Sequence, residues 1–492
     1  MGIAISSIGL ATAQGSRAAI SAGSNLCGLE PWPWPINGWS TSQYCRPAAG
    51  VNSGARGVTR WRELAQLALA DCVEDQSEAP GTPILIASCN GSADSFDGES
   101  WRRAFDSASL LEGTAWAGQR SPVFTSSCNS GLHALYAARQ ILLSGQMDQV
   151  IVLAVDILSH SNQDNFEALR VLSDTICPWQ PASTGFILGE AAVALKLVRE
   201  TDSSVSVRLS GPALSSELMR DDGLPHVLKQ VSGMRPQLLL GQGTGPFAND
   251  ESELAAFRTC VAGDVPLTTS LVHFGHTLGV SGLLSIALAA LIEQAPDTLS
   301  TLVMPAPHAS DGRPLSAGAG GDVNAERIRN VLVSCRALNG SCAAALVSTQ
   351  SDLFESERSD VQLPRSWHTP APIGPLMHPT LRQLASEAPA NRPLDPPDVL
   401  VVHLDEPLAP PPTASIGGRL LPSAVLEMTP GFVSQLIARC WGFAGPALCL
   451  VGHGGANTAA SDFGAACSKL GLIVTQIHLR GTGDEREIVW SD

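Results

Sequence analysis

Twelve cysteines are scattered along this chain, and one of them stands where a thiol could be activated. In "SPVFTSSCNSGLHALYAARQILLSG", residues 121–145, Cys128 follows a short apolar run and precedes a stretch of helical period. A cysteine attacks as its thiolate, so its free pKa of roughly 8.5 must fall. A strand-to-helix turn achieves this without a charged neighbour, because unpaired amide hydrogens and the helix dipole favour negative charge there. The setting therefore predicts a lowered pKa at Cys128. Small residues (Ser126, Ser127, Ser130 and Gly131) would let a substrate approach the backbone. The same amides would hold the oxyanion of a tetrahedral thioester intermediate. Cys89 shares the Ser-Cys-Asn triplet in "ILIASCNGSADSF" but leads into polar, loop-like sequence. On spacing alone, Cys128 stands open between nucleophile and buried thiol.

The elements that must position this turn are legible as an alternation. Residues 1 to about 350 place β-like runs ("TPILIAS", "DQVIVLAVDIL", "AAVALKLV", "PQLLLGQ", "NVLVSC", "CAAALVST") between Ala/Leu-rich helical segments at 129–144, 252–261 and 281–294. The opening "MGIAISSIGL" reads as a first strand. Leu132, Leu135, Ile141 and Leu142 fall near one face of the helix that starts after Cys128, as packing on a sheet requires. Such alternation predicts an α/β layered fold. "LEPWPWPINGW" reads as a proline-pinned loop whose tryptophans pack locally. Residues 351–414 are rich in Pro and Ser and read as a linker. From 415 to 492 order is expected again, with a helix in "SAVLEMTPGFVSQLIARCW" and strands in "PALCLVG" and "GLIVTQIHL".

Composition narrows the function classes. Apolar residues make up 44% and charged residues 15% of 492 residues, with 46 glycines, which fits a chain with large buried cores. A net charge of −16 excludes a phosphate-neutralising basic stripe, so no nucleic-acid partner is expected. An acidic carrier protein would need a local basic patch; Arg56, Arg60, Arg62 and "WRRAF" at 101–105 read as solvated surface arginines. No CxxC pair supports a zinc or thioredoxin-type site. The scattered cysteines suit reduced thiols in a cytoplasm, and no run is long enough for a membrane span.

Beyond Cys128, four further stretches in order resemble one family, the β-ketoacyl synthases, decarboxylating condensing enzymes of fatty-acid and polyketide assembly. Residues 121–155 look like the family's active-site segment. "GFILGEAA" (185–192) is similar to its Gly-Phe-x-x-Gly-Glu-Gly-Ala stretch, with Ala191 in place of a glycine. "GQGTGPFANDESE" (241–253) resembles the His-Gly-Thr-Gly-Thr loop that continues to an Asp and a Glu, here Asp250 and Glu253. "HFGHTLGVSG" (273–282) resembles the Gly-His segment and places His276. "ALNGSCAAALV" (337–347) stands where the family closes with a Gly-rich loop and last strand. The resemblance covers residues 1 to about 350. It implies a thiolase fold, two βαβαβαββ halves in α-β-α-β-α layers, with a C-terminal α/β segment at 415–492 added. Cys128, Gln242 and His276 are the implied catalytic set, Glu190, Asp250 and Glu253 scaffold, with no dissociable cofactor and no metal. Expected partners are acyl carrier protein or coenzyme A thioesters and a second ketosynthase subunit, as homodimer or heterodimer, because the strands beside the family's active site pair across subunits.

The chain also departs from the family pattern. Gln242 replaces the first catalytic histidine; glutamine donates a hydrogen bond to a thioester oxygen but carries no proton. Leu271 stands for the usual lysine and Ala337 for the gating phenylalanine. Retained cysteine with a lost histidine matches non-elongating ketosynthases, which accept and pass on an acyl chain. The expected function is an acyltransferase of fatty-acid or polyketide biosynthesis that loads Cys128 and transfers or condenses the acyl group. The alternative is a non-catalytic partner subunit that shapes an acyl tunnel. Residues 373–492 resemble a degenerate N-terminal half of a condensing enzyme, with "VGHGGANTAASDFG" and no cysteine where the nucleophile turn would fall; His453 there reads as a loop residue. Similar fragments accompany aryl-polyene-type condensing enzymes, which is the sequence's hint of substrate class.

Overall fold

A computed structural model describes residues 2–22, 29–34, 42–73, 81–94, 98–200, 207–217, 221–231, 235–261, 265–295, 298, 328–349, 366–376, 378–408, 415–416, 419–420, 427, 429–452, 457–481 and 486–491. Its first half runs β1 (Ile3–Thr12), α1 (Gly57–Cys72), β2 (Ile84–Ala87), β3 (Val123–Phe124), α2 (Ser130–Leu143), β4 (Gln149–Asp156) and β5 (Ala191–Arg199), with short helices between β2 and β3. The second half repeats this pattern with β6 (Arg208–Ser216), α3 (Gly223–Val231), β7 (Leu238–Leu240), α4 (Phe247–Cys260), β8 (Leu267–Thr268), α5 (Ser281–Gln294), β9 (Asn330–Arg336) and β10 (Ser341–Ser348). Strand order is β3-β2-β4-β5-β1 in the first half and β8-β7-β9-β10-β6 in the second. The two are joined at β1–β6 by two residue pairs, Ile3 with Leu209 and Ala4 with Arg208.

The layering follows from which faces are apolar. Strand β4 (QVIVLAVD) is buried almost throughout, as a strand covered on both sides must be. Helix α1 buries Trp61, Leu64, Ala65, Ala68 and Leu69, a single stripe, and covers one outer face. In contrast, α5 is apolar all round: Leu283 through Leu288 and Ala289 through Ile292, apart from Ser285, are fully buried or nearly so. It lies with α2 between the two sheets, in one core shared by strands of both halves. Gly131 makes that contact possible, because a Cβ there would come 2.9 Å from Leu283 Cβ and 3.1 Å from the Gly279 carbonyl oxygen. With α3 and α4 on the far sheet, the layers read α-β-α-β-α, the thiolase arrangement.

Two expectations are corrected. The stretch 351–414 is not simply a linker: Pro379–Glu387 is helical and Val399–Leu404 forms β11, six buried residues in the run "PPDVLVVHLDEP". Proline and serine dominate the window average, while the strand itself is short enough to hide inside it. Arg60 is not a surface arginine. It is 2% exposed and holds Glu190 in a two-pronged pair, Nε to Oε2 at 2.6 Å and Nη2 to Oε1 at 2.5 Å. Glu190 also accepts from the backbone N–H groups of Ala48 (2.8 Å) and Leu158 (3.0 Å), so it ties three segments together as scaffold. Of the expected tryptophan loop, Trp34 donates from Nε1 to Gln163, far along the chain, and lies under the Arg56 guanidinium, while residues 35–39 lie outside the described residues.

The C-terminal part continues the same sheet through β11, α6 (Phe432–Trp441), β12 (Ala447–Val451), α7 (Asn457–Lys469), β13 (Val474–Arg480) and β14 (Glu487–Ser491), ordered β12-β11-β13-β14. Strand β12 runs antiparallel to β3, Leu450 opposite Phe124 and Val451 opposite Val123. The strand beside the candidate nucleophile, where pairing across subunits is expected, is thus paired within this chain. His453 lies outside the described residues. No helix among the described residues is long and apolar enough to cross a membrane.

Candidate active site

Cys128 sits in the turn between β3 and α2, as its spacing predicts. The turn is self-bonded: the Ser130 hydroxyl accepts from the Ser126 N–H at 2.9 Å and donates to the Ser127 carbonyl at 2.7 Å. Ser127 takes a left-handed φ of 54°, a conformation costly for a residue with a Cβ and one that tight functional turns impose. Asn129 fixes the helix start to the second half, its Nδ2 donating to the Ser341 carbonyl at 2.7 Å. His133, one turn further, shares a hydrogen bond with the Ser341 hydroxyl at 2.8 Å.

The thiol's ionisation departs from expectation. Cys128 is 2% exposed, and burial pushes its pKa up to about 11. The Ser127 hydroxyl and the backbone N–H groups of Leu338 and Cys128 itself pull it back, while the Asp156 carboxylate adds to the rise. Desolvation outweighs the helix start, because among the described residues no cation contributes at the sulfur; Arg336, in the same cavity wall, is paired with Glu217 and Asp221. Those two amides, converging on the sulfur from the helix start and from the 337–340 loop, form a donor pair of the kind that stabilises an oxyanion. Leu338 was invisible to side-chain reasoning, since its contribution is a backbone N–H. Cys89 is also buried, its N–H donates to Asp156 at 3.0 Å, and burial, with the Asp156 carboxylate, pushes its thiol well up.

Gln242 and His276 line one cavity of about 120 Å³ with Cys128, whose wall includes Phe186, Arg336, Ala337 and Leu338. The Gln242 loop is held by carboxylates: Glu253 accepts from the N–H groups of Gln242 (2.8 Å) and Gly243 (2.9 Å) and from Trp179 Nε1 (2.9 Å). Asp250 accepts from the N–H groups of Trp179 (2.7 Å) and Gly245 (3.0 Å). Gln242 Oε1 accepts from the Arg336 N–H at 3.0 Å, which fixes the amide's orientation. Its Nε2 is buried without a hydrogen-bond partner. His276 stacks on Phe186 with ring centroids 4.4 Å apart, and its Nδ1 accepts from the Leu278 N–H at 3.3 Å. Burial lowers its pKa to about 4, so it is a neutral imidazole with its proton on Nε2. His273 does not line the cavity; Leu271 is buried among Phe186, Leu188 and Leu278.

Comparison with known proteins agrees with this geometry. Residues 118–203 match the N-terminal domain of β-ketoacyl synthases. The chain is 26% identical over 219 residues to the tetracenomycin polyketide synthase ketoacyl synthase alpha subunit of Streptomyces glaucescens, covering 38% of this chain and 51% of that protein. It therefore spans about half the length of the curated relatives it matches. Among solved structures, the PfaC keto synthase–chain length factor superposes with a TM-score of 0.73 at 12% identity, over 97% of this chain and 74% of that one. The ketosynthase ApeO in complex with its chain length factor ApeC, from Xenorhabdus doucetiae, gives 0.54 at 19% identity, over 70% of this chain and 98% of that one. The matched segment runs from the approach to β3 through the end of β5 and contains Cys128, so what the comparisons show is a ketosynthase-like segment within a shared fold.

Proposed function

We propose that this chain is an acyl-thioester transferase of the condensing type in polyketide or fatty-acid assembly, with Cys128 as acyl acceptor. The observation that carries this reading is the convergence on one cavity of the Cys128 thiol, two backbone donors, the Gln242 amide and a neutral His276. In loading, the Cys128 sulfur attacks the thioester carbonyl. The new S–C bond forms as the bond to the carrier thiol breaks, and the carrier thiol leaves with the proton that Cys128 lost. The amides of Cys128 and Leu338 hold the oxyanion between these events. Gln242 Nε2 and His276 Nε2 would serve as uncharged donors to a second thioester carbonyl in that cavity, the role that malonyl decarboxylation asks of this pair.

Acyl carrier protein or coenzyme A thioesters supply the acyl group; an aryl-polyene-type substrate rests on the sequence's hint alone. A second ketosynthase-type subunit is the expected assembly partner, docking elsewhere than at β3, whose edge β12 of this chain already occupies. Carbon–carbon bond formation is the demanding step, because neither Gln242 nor a neutral His276 brings the charge that a paired imidazolium would.

The test is to incubate the chain with acyl thioesters, then a malonyl thioester, and follow protein mass and released CO2. An acyl adduct that vanishes in Cys128→Ala and persists in Cys89→Ala is the expected result. Adduct with CO2 and a longer product identifies a condensing enzyme; adduct alone, a non-elongating transferase. Loading that survives Cys128→Ala refutes the assignment, and no adduct with any thioester favours the non-catalytic partner subunit.

A further inference from the structure

The C-terminal strands repeat the wiring of each half. In all three units the central strand is parallel to two neighbours, and the next pair is antiparallel: β2 with β3 and β4, then β4 with β5; β7 with β8 and β9, then β9 with β10; β11 with β12 and β13, then β13 with β14. Helices α2, α5 and α7 occupy the same slot in each. Residues 399–491 are thus a third copy, preceded by the helix Pro379–Glu387 as β2 is preceded by α1, with no counterpart of β1 among the described residues. It meets the first half antiparallel at the Phe124–Leu450 pair, with α7 against α2 through the Tyr136 and Phe463 rings, 6.4 Å apart.

That register assigns counterparts. Phe124 pairs with Ala87, which pairs with Ala154; Leu450 pairs with His403, which pairs with His478. Two histidines, with ring centroids 5.2 Å apart, fill the positions that are alanines in the catalytic copy. The sequence between β12 and α7, residues 452–456, which stands where Cys128 does in the first half, contains no cysteine.

We infer that this third copy serves as a built-in subunit whose contacts position the Cys128 oxyanion donors. Three observations carry it. The Thr125 N–H donates to the Cys449 carbonyl at 3.0 Å, three residues before the nucleophile. Gly431 lies flat on the turn, where a Cβ would come 2.6 Å from Ser126 Cα and 2.7 Å from the Thr125 oxygen. Asn339, next to Leu338, donates from Nδ2 to the Gly431 carbonyl at 3.2 Å and to the Ser126 hydroxyl at 3.5 Å. Both amides that face the sulfur, those of Cys128 and Leu338, are therefore braced against the same residue of the third copy. Gly431 and Asn339 are positioning residues. The inference rests on the proposed acyl loading only for its effect on rate.

The test uses the full chain. Acyl loading passes through an oxyanion, whereas alkylation of the same thiol by iodoacetamide does not. In Gly431→Val and Asn339→Ala, acyl loading of Cys128 is expected to fall about 10- to 100-fold, the scale of an ångström-level misplacement, with alkylation changed far less. Equal losses in both reactions, or none, would overturn the positioning role; Asn339→Ala removes a bridge without adding bulk and covers the case in which Gly431→Val does not fold. Placement within one chain has its own test. Thr125→Cys stands opposite native Cys449 in a hydrogen-bonded pair, whose Cα separation of about 5.5 Å suits a disulfide. Oxidised glutathione takes up the two electrons and two protons of the thiols. The expected product is a disulfide at single-chain mass; a disulfide joining two chains overturns the inference. This second test stands even if no thioester loads the wild type, an outcome that would strike the proposed function instead.

Discussion

Raising the pH from 7 to 9 should accelerate alkylation of Cys128 about tenfold per unit, with no plateau. The reason is the balance of groups around the sulfur. Burial pushes the thiol up to about 11; the Ser127 hydroxyl and the two amides oppose it, and Asp156 adds to it. His276 contributes no charge, because burial holds its pKa near 4. A helix start is worth about 0.3–1 kcal/mol, less than one pH unit, too little to return the thiol to its ordinary range. At pH 7.5 the thiolate is then about one molecule in 3,000, against about one in 11 for an ordinary thiol of pKa roughly 8.5. The assay is iodoacetamide labelling across pH 6–9, with Cys128 quantified by peptide mass spectrometry. Folding must be followed alongside. Cys72 and Cys440 are also pushed up to about 11, and Cys467 to about 12. Between the ordinary thiol range and these values the folded chain binds more protons than the unfolded one, so stability falls as pH rises there. A rate that levels off by pH 7 would refute the reasoning, because it would require a cation or ion-paired histidine at the sulfur.

Two further outcomes test the site and its frame. Gln242→His can keep the bond from the Arg336 N–H through Nδ1 while presenting Nε2 to the cavity; malonyl-thioester decarboxylation, read as CO2 release, should rise by about 10²-fold, the low end of acid–base contributions. No rise moves the defect to Leu271. Glu190→Ala strands the buried Arg60 charge and two backbone N–H groups, and should cost about 3–5 kcal/mol by urea unfolding. Alkylation of Cys128 per folded molecule should stay unchanged, since Glu190 supports the frame and does not line the cavity.

The parts of this site legible in the sequence are those written in side chains. Cys128 announced itself by type and by the helix that follows, and the helix expected over 129–144 forms at Ser130–Leu143. Gln242 and His276 stood in loops with their own patterns, and the structure brings both to the cavity of Cys128. The Leu338 and Arg336 amides left no mark, because a backbone N–H has no residue type. Arg60 was misread because an arginine's burial depends on a carboxylate 130 residues away. Strand β6, "RLSGPALSS", was missed because its Ser, Gly and Pro content reads as a loop, although β10 and β1 pair with it on both sides.

The ionisation of Cys128 shows where such reading stops in principle. A helix start is a one-dimensional pattern, and its effect on a thiol is bounded at less than one pH unit. Burial is set by how α2, α5 and the 337–340 loop close over the turn, and desolvation shifts a pKa by several units. The larger effect is therefore the one that sequence pattern does not carry. The same asymmetry governs the third copy: its kinship with the first half lies in strand order and pairing sense, while its residues have diverged to histidines under the helix start and a β12-to-α7 sequence without a thiol. What persists is what pairing across β3 needs, a strand with a carbonyl for Thr125 and a glycine flat against the turn. What has gone is what catalysis needs.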